Sequence, residues 1–190
     1  LALEALLSYA PRYAAVARRA AIGFDPDETE VVERQRGGTG TEFGVPSAVA
    51  DAERAPLRGA DLERLAALLT AAWATFDASA SAAGGVELTK GPRGGGRDLD
   101  KIIGHVREAE VAYLGQLGSR SPASADEPPD DPMKLIRGAF LETLAAIAEG
   151  RPLADPRRTQ KPWPARYAVR RSAWHVLDHA WEIEDRSRSR

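Results

Sequence analysis

Arg171-Ser172-Ala173-Trp174-His175-Val176-Leu177-Asp178-His179-Ala180-Trp181-Glu182 is the stretch whose reading decides the fold. It holds two of the chain's three histidines, four residues apart. Residues i and i+4 share one face of a helix, so a helix here aims both imidazoles at one point. Val169, Val176 and Ile183 recur at helical spacing and define an apolar arc that the two histidines border. His105 borders the apolar face of a second segment, marked by Leu99, Ile102, Ile103, Val106, Tyr113, Leu114 and Leu117. Two histidines from one helix and one from a facing helix would form a three-ligand metal site with positions left open.

Two further amphipathic segments complete the scaffold. The first runs from an N-cap at Asp61 through Leu62, Leu65, Leu68, Leu69, Trp73 and Phe76 to about Ala83, where Gly84-Gly85 ends it. The other spans roughly Pro132 to Ala148, with Met133, Ile136, Phe140, Leu144 and Ile147 inward and Gly150 as its stop. Between the second and third helices, residues 119–131 contain three prolines and several acids. That length suits a crossover, not a tight antiparallel turn. The expectation is an all-α four-helix bundle over residues 57–190, with a long crossover between its second and third helices.

Residues 1–56 read as an appendage. A Leu- and Ala-rich helix is interrupted by Pro11. Glu30-Val31-Val32-Glu33 and Thr41-Glu42-Phe43-Gly44 then flank Gly37-Gly38-Thr39-Gly40 as a hairpin. No helix follows that glycine cluster, so it is not a phosphate-binding loop. The appendage is read as the remainder of a small α/β module whose first strands precede Leu1. Gly91–Arg97 is read as a basic linker, with anion binding as the alternative.

Composition narrows the function. A formal net charge of −2 gives no electrostatic case for a nucleic-acid partner. The absence of cysteine removes disulfides, thiolate ligands and a cysteine nucleophile. No apolar run approaches the ~20 residues of a membrane span, and a cytoplasmic location is expected.

Around the histidines, Asp178, Glu182 and Glu108 are candidate acceptors for imidazole N–H groups. Arg171, one turn before His175, either holds an anionic substrate group or pairs with Asp178 or Glu182. Trp174 and Trp181 either line a pocket or pack against another helix. Ser172 lies near His175 but lacks the context of an activated serine.

The segment Asp98-Leu99-Asp100-Lys101-Ile102-Ile103-Gly104-His105-Val106-Arg107-Glu108-Ala109-Glu110, followed later by Trp174-His175-x-x-Asp178-His179-x-Trp181-Glu182, resembles the DinB-like superfamily. The resemblance covers roughly residues 57–190. It implies a four-helix bundle with a crossover after the second helix, and a metal, often nickel or zinc, on His105, His175 and His179. Family members with an intact triad include transferases that use small thiols such as mycothiol or bacillithiol.

The expected activity is therefore transfer or isomerisation through a small thiol, ionised by a divalent cation (zinc, nickel, iron or manganese). Asp178 or Glu182 would orient a histidine or relay a proton. Arg171 or the basic residues of 151–164 would hold a carboxylate of a small-molecule substrate. The alternatives are a hydrolase that activates water at the metal, and a non-catalytic binding or regulatory module. In the second of these, a homodimer through an exposed helix face, the metal only ties helices together.

Overall fold

A computed structural model gives the structure of residues 2–27, 29–41, 45, 47–90, 96–122, 131–157 and 161–188. The described residues form six α-helices and no β-strand: α1 (Ala2–Ser8), α2 (Ala10–Arg19), α3 (Gly59–Ala82), α4 (Leu99–Leu117), α5 (Pro132–Glu149) and α6 (Ala165–Arg188). The break at Pro11 is present, since α1 stops at Ser8 and Pro11 falls in the first turn of α2, where its missing N–H costs no helix bond.

Local chemistry sets the ends of the long helices. The side chains of Asp98 and Asp131 accept hydrogen bonds from the backbone N–H groups of Lys101 and Lys134, satisfying donors that an α-helix leaves free. Gly150 closes α5 at φ 68°, a left-handed conformation that glycine adopts without penalty. Asp61 is not an N-cap as expected. Arg58 is the cap of α3, and Asp61 lies in its first turn and pairs with Arg166.

Side-chain pairs give the relative directions of the helices. Asp61 meets Arg166 and Ser79 meets Glu184, both at a separation of 105 residues, so α3 and α6 run in the same direction. Glu110 meets Arg137 and Ser119 meets Thr143, so α4 and α5 are also parallel. Asp77 meets Arg137 while Trp73 meets Phe140, which makes α3 and α5 antiparallel. His105 meets His175 while the Trp163 N–H donates to the Gln116 carbonyl, so α4 and α6 are antiparallel.

These helices enclose a core in which Leu69, Phe76, Ile102, Val106, Leu114, Phe140, Leu144, Val176 and Ile183 are fully buried. Burying each such side chain stabilises the fold by about 1.5–3 kcal/mol. Val169, Val176 and Ile183, the arc expected on α6, are all in it. Ile147 is not, at 39% exposure. Ser119, just past the end of α4, is already level with Thr143. The last turn of α5 therefore runs past the end of α4 and leaves Ile147 only partly covered.

Among the described residues the predicted hairpin does not form. Val31 and Val32 lie in irregular backbone, Val32 at 80% exposure, and Thr41 is in a 3₁₀ turn. Residues 42–44 lie outside the described residues. Two strands alone bury too little to persist, and the described residues offer no sheet for them to join. The N-terminal region is instead tied to the helices. Val16 enters the common core, Arg12 pairs with Glu184 and Asp185, and Tyr9 and Arg12 both lie on Trp181. A 3₁₀ turn at Asp51–Arg54 brings Glu53 to Arg170.

One charged cluster is built into the core. Glu110, 1% exposed, accepts from Arg137 Nε at 3.1 Å, and Arg137 Nη1 donates to both oxygens of Asp77. Arg137 also lies over the Trp73 ring. The cluster joins α3, α4 and α5. Burial pushes the Glu110 carboxyl up to about 7, against the pull of Arg137.

Candidate metal centre

The antiparallel packing of α4 on α6 brings the three histidines together. One ring nitrogen from each of His105, His175 and His179 lies within 4.8 Å of the other two. His175 and His179 are 6% and 7% exposed, and His105 is half-buried. The rings meet at steep angles, 88° between His105 and His179 and 85° between His175 and His179.

His175 Nε2 lies 3.2 Å from His105 Nε2. Without a cation, one nitrogen at this spacing donates to the other. The same spacing also fits a metal, since two imidazoles held ~2.0–2.1 Å from a tetrahedral zinc sit about 3.4 Å apart. His179 Nδ1 lies 2.8 Å from Glu182 Oε2, which leaves Nε2 as its free nitrogen. Burial pushes His175 down to about 3, reinforced by His179 and His105. Burial, then Arg97, lowers His105. Both rings are neutral near pH 7 and offer lone pairs, the state a cation requires. The donor set is all nitrogen, which suits zinc, nickel or iron. On geometry and protonation, these residues fit a divalent cation.

Behind the triad is a chain of support. The other Glu182 oxygen accepts from Arg186 Nη1 at 2.7 Å, and the bond from His179 holds this carboxyl below its ordinary range. Arg186 Nε in turn donates to the Thr89 carbonyl. Gly96, at φ +135°, lays its backbone against the guanidinium so closely that a Cβ there would come within 2.7 Å of Nη2. The α3–α4 connection is thus braced on α6 through the residue that holds Glu182.

The other expected residues divide. Glu182 alone takes the predicted role of imidazole acceptor. Asp178 is exposed, and among the described residues neither it nor Glu108 hydrogen-bonds a histidine. His175 Nδ1 and Ser172 Oγ are buried without a hydrogen-bond partner among the described residues. Trp181 packs under the N-terminal helices, whereas Trp174 stays beside His175, ring centroids 6.2 Å apart. Arg171 forms no ion pair among the described residues. It lies over Trp174 and Tyr113 instead.

Tyr113, edge-on to His175 at 5.7 Å, is a neighbour that sequence reasoning missed. Arg186 was also missed, although Glu182 and Arg186 have the i,i+4 spacing of a helical ion pair. Two concavities lie away from the triad, one beside Leu7, Pro11 and Phe24 and one beside Ser119, Thr143 and Asp155. No helix among the described residues is long and apolar enough to cross a membrane. Compared with protein-family models, characterised proteins and solved structures, the chain matches none.

Proposed function

We propose that this chain is a metal-dependent enzyme of the DinB-like type, transferring or isomerising through a small, mycothiol-like thiol. The observation that carries the reading is the convergence of three buried or half-buried imidazole nitrogens within 4.8 Å, one of them oriented by Glu182. The helix directions support a four-helix bundle of α3–α6, with its crossover between α4 and α5. Parallel neighbours need a connection that returns along the bundle, and residues 118–131 are long enough, at up to ~3.3 Å each, to do so. Residues 1–56 would be its appendage.

A cation on His105, His175 and His179 supplies Lewis acidity, which lets a thiol ionise near neutral pH. The chain's own residues do the rest. Neutral His105 and His175 donate lone pairs without first losing a proton. Glu182 fixes the tautomer of His179 by accepting from Nδ1 and so presents Nε2. The bonds from His179 and then Arg186 keep Glu182 ionised. Exposed Asp178, one residue before His179, is placed to exchange protons with solvent. The protein has no cysteine, so the sulfur nucleophile comes from the small molecule.

Among the described residues the donor group has three members, which favours an open site over a closed structural one. The test is elemental analysis of untagged protein beside His105→Ala and His175→Ala. Near-stoichiometric metal in the parent, lost in both variants, is expected. Parent protein that takes up no nickel, zinc, manganese or iron on reconstitution rejects the reading. If metal is bound but its spectrum ignores added thiol, the water-activating hydrolase replaces the transferase.

A further inference from the structure

Arginines on and against α6 follow a pattern that one of them breaks. Arg166 pairs with Asp61, Arg170 with Glu53, Arg186 with Glu182, and Arg12 with Glu184 and Asp185. Arg171 has no carboxylate partner among the described residues, and its Nη1 is buried without a hydrogen bond. Its guanidinium carbon lies 4.4 Å from the Trp174 ring centroid and 5.6 Å from that of Tyr113. Tyr113 touches His175 edge-on at 5.7 Å. The cation and the metal-ligand cluster thus flank the same tyrosine, separated along α6 by one turn, ~6 Å.

A buried guanidinium edge that donates to nothing is costly, the more so because the group is charged. Stacking on two aromatic faces offsets part of that and fixes the plane of the group. The planar fork then presents its donors in the geometry of a carboxylate. We propose that Arg171 is the anchor for a carboxylate on a small molecule engaged at the three histidines, with Trp174 and Tyr113 as the walls of that subsite. This rests on the metal reading for the second half of the ligand only. The carboxylate belongs either to the thiol or to the compound the thiol attacks, and Arg171 meets the same chemistry in both cases.

The test is side-chain ¹H–¹⁵N spectroscopy of the arginine Nε–H groups, with the Arg171 resonance assigned from its loss in Arg171→Lys. Metal-free and cobalt(II)-loaded proteins are each titrated with 3-mercaptopropionate, propionate and 2-mercaptoethanol. The two acids are expected to shift the Arg171 resonance, and the neutral thiol is not. In loaded protein, 3-mercaptopropionate acting well below the propionate concentration assigns the carboxylate to the thiol. Equal concentrations assign it to the second compound.

Arg171→Lys should weaken 3-mercaptopropionate about tenfold or more and leave 2-mercaptoethanol unchanged in the cobalt spectrum. An Arg171 resonance unmoved by either acid overturns the proposal, and that reading of the parent protein does not depend on the variant's folding. Failure to bind cobalt rejects the metal reading instead, while propionate still reports on Arg171 in the metal-free protein.

Discussion

Glu182 holds the Nδ1 edge of His179 at 2.8 Å, three residues along the same helix. One ligand is therefore oriented from within α6, before any other helix is involved. Removing an acceptor of this kind typically lowers metal affinity ~10–100-fold. Glu182→Gln is expected to fall in that range and to keep its far-ultraviolet circular dichroism, whereas His179→Ala should lose more. Competition with a chelator of known affinity measures both.

Gly96 offers a test of the same support from a distance. An alanine there meets Arg186 and must also adopt φ near +135°, which side chains rarely do. Such backbone strain costs ~1–3 kcal/mol. Gly96→Ala should lower stability by that amount and weaken metal binding as Arg186 shifts off Glu182. Unchanged affinity together with lowered stability, by urea unfolding and chelator competition, would separate the brace from the ligand set.

Glu110 and Arg137 predict a larger loss. Removing one member of a buried pair leaves an uncompensated charge, typically at a cost of 3–5 kcal/mol. Arg137→Ala, which leaves Glu110 buried without its cation, should show a loss of about that size in urea unfolding. Replacing both partners, as Glu110→Leu with Arg137→Met, should recover most of it.

Two buried groups give opposite pH trends in metal-free protein. His175 titrates near 3 when folded against 6.5 ordinarily, so its contribution is present above 6.5 and is lost as pH falls towards 3. Glu110 titrates near 7 against 4.5, so its contribution is present below 4.5 and is lost as pH rises through 7. Glu110→Gln should remove the decline between pH 4.5 and 7. His175→Gln should remove the rise between pH 3 and 6.5. Urea unfolding at a series of pH values reads both slopes.

Much of this was legible in the sequence because it depends on helical periodicity. The Val169–Val176–Ile183 arc fixed which side of α6 is buried, and so which way His175 and His179 turn. Gly150 marked a helix end because capping is local chemistry. What lay beyond the sequence depended on which helix faces which. The Glu110–Arg137–Asp77 cluster needs three helices at known rotation, and a glutamate on an apolar face gives no sign of its partners. The Val31–Val32 strand failed because β-branched residues suit a sheet only where one is available to join. Trp174 and Trp181, seven residues apart, looked alike. Docking of α1 and α2 on Trp181, not any local feature, separates their roles.

The directions of the helices also bear on how the molecule forms. Neighbours that are consecutive in the chain, α4 and α5, run parallel, and α3 finds its parallel partner 105 residues away in α6. Little of the core is therefore assembled from local hairpins. A helical chain of this kind has a high contact order for its class and should fold more slowly than an up-and-down bundle of equal size. His105 meets His175 across 70 residues. During synthesis His105 stays without its partners until α6 has left the ribosome, so an assembled triad marks a chain in which α4 and α6 have docked.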